Sequence, residues 1–168
     1  MTATEQVGAD LRIVVGVDGS EHSKEAMRWA LRQAALIGSS VDAIMAWQYP
    51  AAPGKYAWAI PPMAEIEESA GKQLDDLLAA VVDPAGTVPV TPRVEEGNAA
   101  QVLLDAAAGA ELLVVGSHGH GGFAGAALGS VSLHCSHHSP CPLVIVRGQW
   151  AAASDGDGTA RNTQGAVR

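Results

Sequence analysis

Two strand-length runs in this chain show none of the polar alternation of a half-exposed strand. They are Arg12-Ile13-Val14-Val15-Gly16-Val17, apolar from Ile13 onward, and Leu112-Leu113-Val114-Val115. Such runs need cover on both faces, which is the environment of a central strand in a parallel sheet layered with helices. Helical spacing recurs between them. Ala26, Met27, Ala30, Leu31, Ala34 and Ala35 form one stripe stopped by Gly38. Ile66, Ala70, Leu74, Leu77, Leu78 and Val81 form a second, ended by Asp83-Pro84-Ala85-Gly86. Val102, Leu103, Ala106 and Ala107 mark a third.

Three further strands complete the pattern. Val41–Trp47 is less apolar because of Asp42. Val88–Val94 contains Pro89 and Pro92, so it belongs at a sheet edge, and Glu95-Glu96-Gly97-Asn98 reads as the turn that follows. Leu143–Val146 comes last, its entry bracketed by Pro140 and Pro142. A fourth helix is expected from about Ser130 to His138. Strands and helices therefore alternate, and right-handed crossovers give one five-stranded parallel sheet with helices on both faces. The expected fold is a three-layer α/β sandwich, Rossmann-like or flavodoxin-like, with strand order 3-2-1-4-5. Length agrees with one domain, since 168 residues suffice for a real core but not for two. With 48% hydrophobic but only 4% aromatic residues, the chain suits tight α/β packing better than an aromatic-rich all-β core.

The domain is expected to span 11–147. Residues 1–10 are polar and read as a flexible arm, and the unpatterned stretch 148–168 reads as a disordered tail. Gln48–Pro62 holds Pro50, Pro53, Pro61 and Pro62 beside Tyr49, Tyr56 and Trp58. It can be neither regular helix nor central strand, so it is a long loop, either a lid or a flap packed on the domain. A formal net charge of −8 without any Lys/Arg cluster opposes nucleic acid or an anionic membrane as partner. No apolar run approaches the roughly 20 residues that span a bilayer. The start lacks a signal-peptide pattern, and Cys135 and Cys141 are the two cysteines, so the expected location is the cytoplasm with both thiols reduced.

Function is concentrated after the fourth strand, in Gly116-Ser-His-Gly119, nine residues, Gly129-Ser130. A glycine loop between a strand and a helix lets main-chain amides converge on an anion, and the helix N-terminus adds its dipole. The spacing is neither the dinucleotide fingerprint nor a P-loop, and by itself it fits a phosphate cradle and a plain turn equally. Ser130 can cap the helix or meet a phosphate. His118 and His120 in the loop can hydrogen-bond a phosphate or simply be solvated. Asp18 ends the first strand where ligands bind in such sheets, although Asp-Gly is also a strong turn pair.

These residues carry a resemblance to the ATP-binding members of the universal stress protein family. Gly116, Gly119, Gly129 and Ser130 fill every fixed position of that family's Gly-x-x-Gly, nine residues, Gly-Ser/Thr motif. The stretch Val17-Asp18-Gly19-Ser20 is similar to its opening, and the resemblance spans about residues 11–147. It implies a stress-response regulator that binds ATP, with Mg²⁺ near Asp18, as a homodimer through Leu143–Val146. Asp18 would contact the adenosine end, and Gly16 and Ala46 would pack the base. Phosphates would lie on Gly116, His118, Gly119, Gly129, Ser130, Val131 and Ser132. Cyclic AMP is the alternative ligand, and a weak ATPase or a nucleotide-free dimeric adaptor are the rival readings. No catalytic residue is expected, since the loop offers no Lys or Arg for a transferring phosphoryl group. His134 and His138 share a helical face at i, i+4, but without a Glu or Cys-x-x-Cys partner no zinc site is expected.

Overall fold

The computed structural model describes residues 11–50, 60–120 and 127–148. Among these the elements are β1 (Arg12–Gly16), α1 (Glu21–Ile37), β2 (Ser40–Trp47), α2 (Met63–Val81), β3 (Val90–Glu96), α3 (Ala99–Ala107), β4 (Leu112–Gly116), α4 (Ser130–His138) and β5 (Leu143–Val146). All strands are parallel, in the order β3-β2-β1-β4-β5. The expected arm, the tail beyond Gly148, and the Pro53, Tyr56 and Trp58 part of the proposed lid lie outside the described residues.

Why β1 lacks alternation is plain from its surroundings. Ile13, Val14 and Val15 are completely buried. Ile13 and Val15 join Met27, Ala30, Leu74 and Leu77 beneath α1 and α2. Val14 joins Ile44, Leu103, Leu104, Leu113 and Cys135 beneath α3 and α4. Each such aliphatic side chain contributes about 1.5–3 kcal/mol on burial, so the central strand is a large part of the driving force. Asp42, out of place in an apolar strand, is half-buried and held by Arg12 at 3.4 Å and Arg93 at 3.7 Å. Arg12 also donates to the carbonyls of Ala106 and Ala108 at 2.9 and 2.7 Å, tying the end of α3 to the bottom of the sheet.

Local signals set the helix ends. Ser20 caps α1 by accepting from Ser23 N–H, and Gly38 closes it at φ 70°, the left-handed conformation that favours glycine. Asn98 caps α3 by accepting from Ala100 and Gln101. One boundary and one cap differ from expectation. β3 starts at Val90 and runs through Glu95 and Glu96, which were expected in a turn. Parallel pairing with β2 persists to Ala46↔Glu95 and Trp47↔Glu96, so the ladder overrides the polar composition. The second correction concerns α4: its N-cap is Gly129, and Ser130 is the first helical residue, with no side-chain cap.

Candidate functional site

The strand order reverses between β1 and β4, and there the carboxyl ends of β1, β2 and β4 open a cavity of about 300 Å³. Gly16, Asp18, Ala46, Gly116, His118, Gly119, Gly129, Ser130, Val131 and Ser132 all line it. The sequence candidates thus come together in one place. Sequence reasoning missed its apolar wall, made by Val17, Ile44, Leu103 and Val115, because nothing distinguishes these from ordinary core residues.

The loop is closed at its neck by Ser117, which is buried and was also missed. Its carbonyl accepts Gly129 N–H at 2.7 Å and Ser132 Oγ–H at 3.0 Å, while its own N–H donates to Val146 at 2.8 Å. Ser132 Oγ also reaches the Gly129 carbonyl at 3.0 Å. That hydroxyl is therefore committed to holding the first turn of α4 against β4. The signal for Ser117 was its place next to Gly116, but a serine after a strand is too common to stand out.

Steric room accounts for the motif glycines. None of Gly116, Gly119 and Gly129 lies in the left-handed region; close approach is what each requires. A Cβ on Gly116 would lie 2.9 Å from the backbone of His22 in α1. One on Gly119 would run into Asp18 Oδ2. At Gly129 it would lie 3.3 Å from His118 Cα. Gly16 likewise makes room for Leu103 of α3, whose Cδ1 would be 2.6 Å from an added Cβ. Packing explains Gly16 before any ligand does. A positive-φ glycine, Gly19 at 85°, lies in the turn after β1, next to Asp18.

Asp18 combines its two readings. Oδ1 accepts Ser20 N–H at 2.9 Å, which is turn chemistry, and its backbone N–H donates to Ser23 Oγ at 3.3 Å. Burial pushes its carboxyl up, but the Ser20 and Ser23 hydrogen bonds and the nearby His120 outweigh this, so its pKa lies below the ordinary 3.8. His120 Nε2 lies 2.8 Å from the Asp18 carbonyl oxygen, which can only accept, so that nitrogen carries a proton. This contact joins the glycine loop to the turn after β1 across the crevice. His118 Nδ1 lies 3.1 Å from Ser117 Oγ, and its ring sits 5.6 Å from that of His22.

Opposite Asp18, α4 points its N-terminus into the cavity. Ser130, Val131 and Ser132 form its first turn, whose N–H groups have no acceptor within the helix. Three or more His, Cys, Asp or Glu side chains in metal-binding proximity do not occur among the described residues. His134 and His138 do approach, with ring centroids 4.5 Å apart, on a different face of the molecule.

A parallel α/β domain with a small-ligand crevice at its strand-order reversal, floored by an uncapped helix, is the class this architecture defines. The profile of the Universal stress protein family matches residues 11–147, and the chain belongs to that family. A universal stress protein of Mycolicibacterium smegmatis is 34% identical over 158 residues, 89% of this chain and 52% of the relative. The chain spans about half the length of the curated relatives it matches. Among solved structures, a universal stress protein in complex with cAMP aligns with TM-score 0.54 and 25% identity over 83% of this chain and 98% of that one. Universal stress protein UspA from Lactobacillus plantarum shares the fold, with TM-score 0.62 and 19% identity over 82% and 98%. No helix among the described residues is long and apolar enough to cross a membrane.

Proposed function

We propose that the chain is a nucleotide-binding regulator whose ligand, ATP, occupies the crevice between Asp18 and α4. The observation that carries this is the uncapped N-terminus of α4 opening onto a cavity of about 300 Å³ walled by glycine backbone. That volume lies at the lower end of small-molecule sites. Phosphates would take the amides of Ser130, Val131 and Ser132 and the backbone at Gly119 and Gly129, where the helix dipole favours negative charge. The base would lie against the apolar wall of Ile44, Ala46 and Leu103, with Asp18 at the ribose. Mg²⁺ would arrive with the phosphates, because Asp18 is the one carboxylate among the described lining residues and one of its oxygens already holds Ser20 N–H. Binding rather than turnover fits a lining that, among the described residues, holds no Lys or Arg. Cyclic AMP is the second reading, favoured by the cAMP complex of the relative described above.

Thermal unfolding with ATP, ADP, cyclic AMP and GTP, each with and without Mg²⁺, tests this directly. A ligand at a hundred times its Kd adds about 2.7 kcal/mol and raises the midpoint by several degrees. Ser130→Asp separates binding from folding. A carboxylate in the first turn leaves the free protein as stable or slightly more so, yet repels phosphate and should abolish the ATP shift. A shift with cyclic AMP alone transfers the assignment to the second reading. No shift with any nucleotide, in folded protein, ends the nucleotide reading.

A further inference from the structure

Phosphate sites usually carry a fixed cation, and this crevice has none among its described lining residues. Its ionisable side chains are Asp18, His118 and His120. We propose, resting on the nucleotide reading above, that His118 and His120 set the ligand preference of the crevice, so that acid favours a polyphosphate nucleotide over a cyclic monophosphate. The main-chain amides of the loop and helix carry no net charge, and Asp18 contributes a negative one. With neutral imidazoles the site therefore meets every phosphate with partial dipoles and one repelling carboxylate. Protonating the two histidines reverses the sign of the site.

Imidazole is the side chain that ordinarily changes charge between pH 5 and 8. A ligand with several negative charges gains more from that change than a ligand with one. Among the described residues, several neighbouring elements bring groups toward the histidines. From the turn after β1 comes Asp18, whose carbonyl holds His120 Nε2 and whose carboxylate lies beside Gly119. α1 contributes His22, its ring 5.6 Å from that of His118. α2 brings the uncharged Gln73 to the Gly19 turn that His120 also approaches, while its Glu65 lines an adjoining cavity that includes neither histidine. α3 presents Ala99 and Leu103, and α4 presents Ser130, Val131 and Ser132, all uncharged. A bound polyphosphate attracts positively charged imidazoles more strongly than a cyclic monophosphate does.

Calorimetric titration of the full chain with ATP and with cyclic AMP, at pH 5.5, 6.5, 7.5 and 8.5, tests the proposal. The phosphodiester of cyclic AMP keeps one charge over this range. The terminal phosphate of ATP gains charge as pH rises, which by itself would favour ATP at high pH and so works against the expected trend. The expected result is an affinity ratio, ATP over cyclic AMP, at least about tenfold higher at pH 5.5 than at pH 8.5. His118→Asn with His120→Asn should flatten the ratio at its pH 8.5 value, and His118→Arg should hold it high at every pH. A ratio in the unaltered protein that does not change with pH, while both nucleotides bind, overturns this proposal and leaves nucleotide binding standing. So does a pH dependence that survives the double substitution. Absence of binding by either nucleotide at every pH overturns both.

Discussion

Gly116 and Gly119 are small for different reasons, and the difference is measurable. An added methyl at Gly116 meets backbone of α1 at 2.9–3.0 Å, which cannot rotate away. Gly116→Ala should therefore destabilise the fold by about 1–3 kcal/mol in urea unfolding, with the m-value unchanged. At Gly119 the obstacle is the tip of Asp18, so Gly119→Ala should instead displace that carboxylate. Asp18 offers its own readout. Its carboxyl titrates below the ordinary value, so the folded state gains stability that is fully present well above pH 3.8. That gain disappears as pH falls through 3.8 toward the lower folded value. Asp18→Asn should flatten this part of the acid limb of the stability curve, and an unchanged limb would show that the hydrogen bonds to Ser20 and Ser23 do not hold the charge.

At the scale of elements, α1 and α4 meet the crevice from opposite sides and end differently. Ser20 satisfies the first turn of α1, and Ser20→Ala should cost about 1 kcal/mol, read as a lower unfolding midpoint without loss of ligand binding. α4 has no such cap, so the free amides that make it useful to an anion also leave its first turn dependent on Ser117 and Ser132. Its other anchor is Cys135, completely buried against α3 and β4, where burial pushes the thiol above its ordinary 9.0. An alkylating reagent near neutral pH should modify the partly exposed Cys141 in the native protein and reach Cys135 only after unfolding, as mass spectrometry of the two peptides would report. Equal labelling of both would mean that α4 detaches from the sheet.

For the whole molecule, the open question lies at the β5 edge. Leu143, Val144, Ile145 and Val146 are each only half-buried in the single chain, unlike the residues of β1 and β4. The carbonyls of Pro142 and Val146 point to β4, so residues 143 and 145 turn theirs outward along an edge that no described strand pairs. Such an edge is a template for pairing with a second copy. Sedimentation should give about twice the 17.2 kDa chain mass, and Ile145→Pro, which removes an outward N–H, should return the monomer. A monomeric parent protein would place dimerisation elsewhere or nowhere.

What the sequence by itself determined was periodicity and punctuation. Unalternated runs at 13–17 and 112–115, helical stripes between them, Gly38 as a stop and two prolines at an edge were enough for element order and a parallel sheet, while the strand order 3-2-1-4-5 was expected from the usual topologies of such sheets. The glycine spacing and Asp18 pointed to the crevice only together with the family resemblance and the rule that ligands in open α/β sheets sit where strand order reverses. Tertiary structure alone decided which atoms do which job. Gly116 faces His22 across 94 residues of chain, Ser117 and Ser132 are spent on closing the loop, and His120 reaches the carbonyl of Asp18. Ile44 and Leu103 serve as cavity wall as well as core because β2 ends and α3 begins beside the crevice. Those outcomes depend on distances between residues far apart in the chain, set by how helices pack on a twisted sheet, and local pattern carries no record of them.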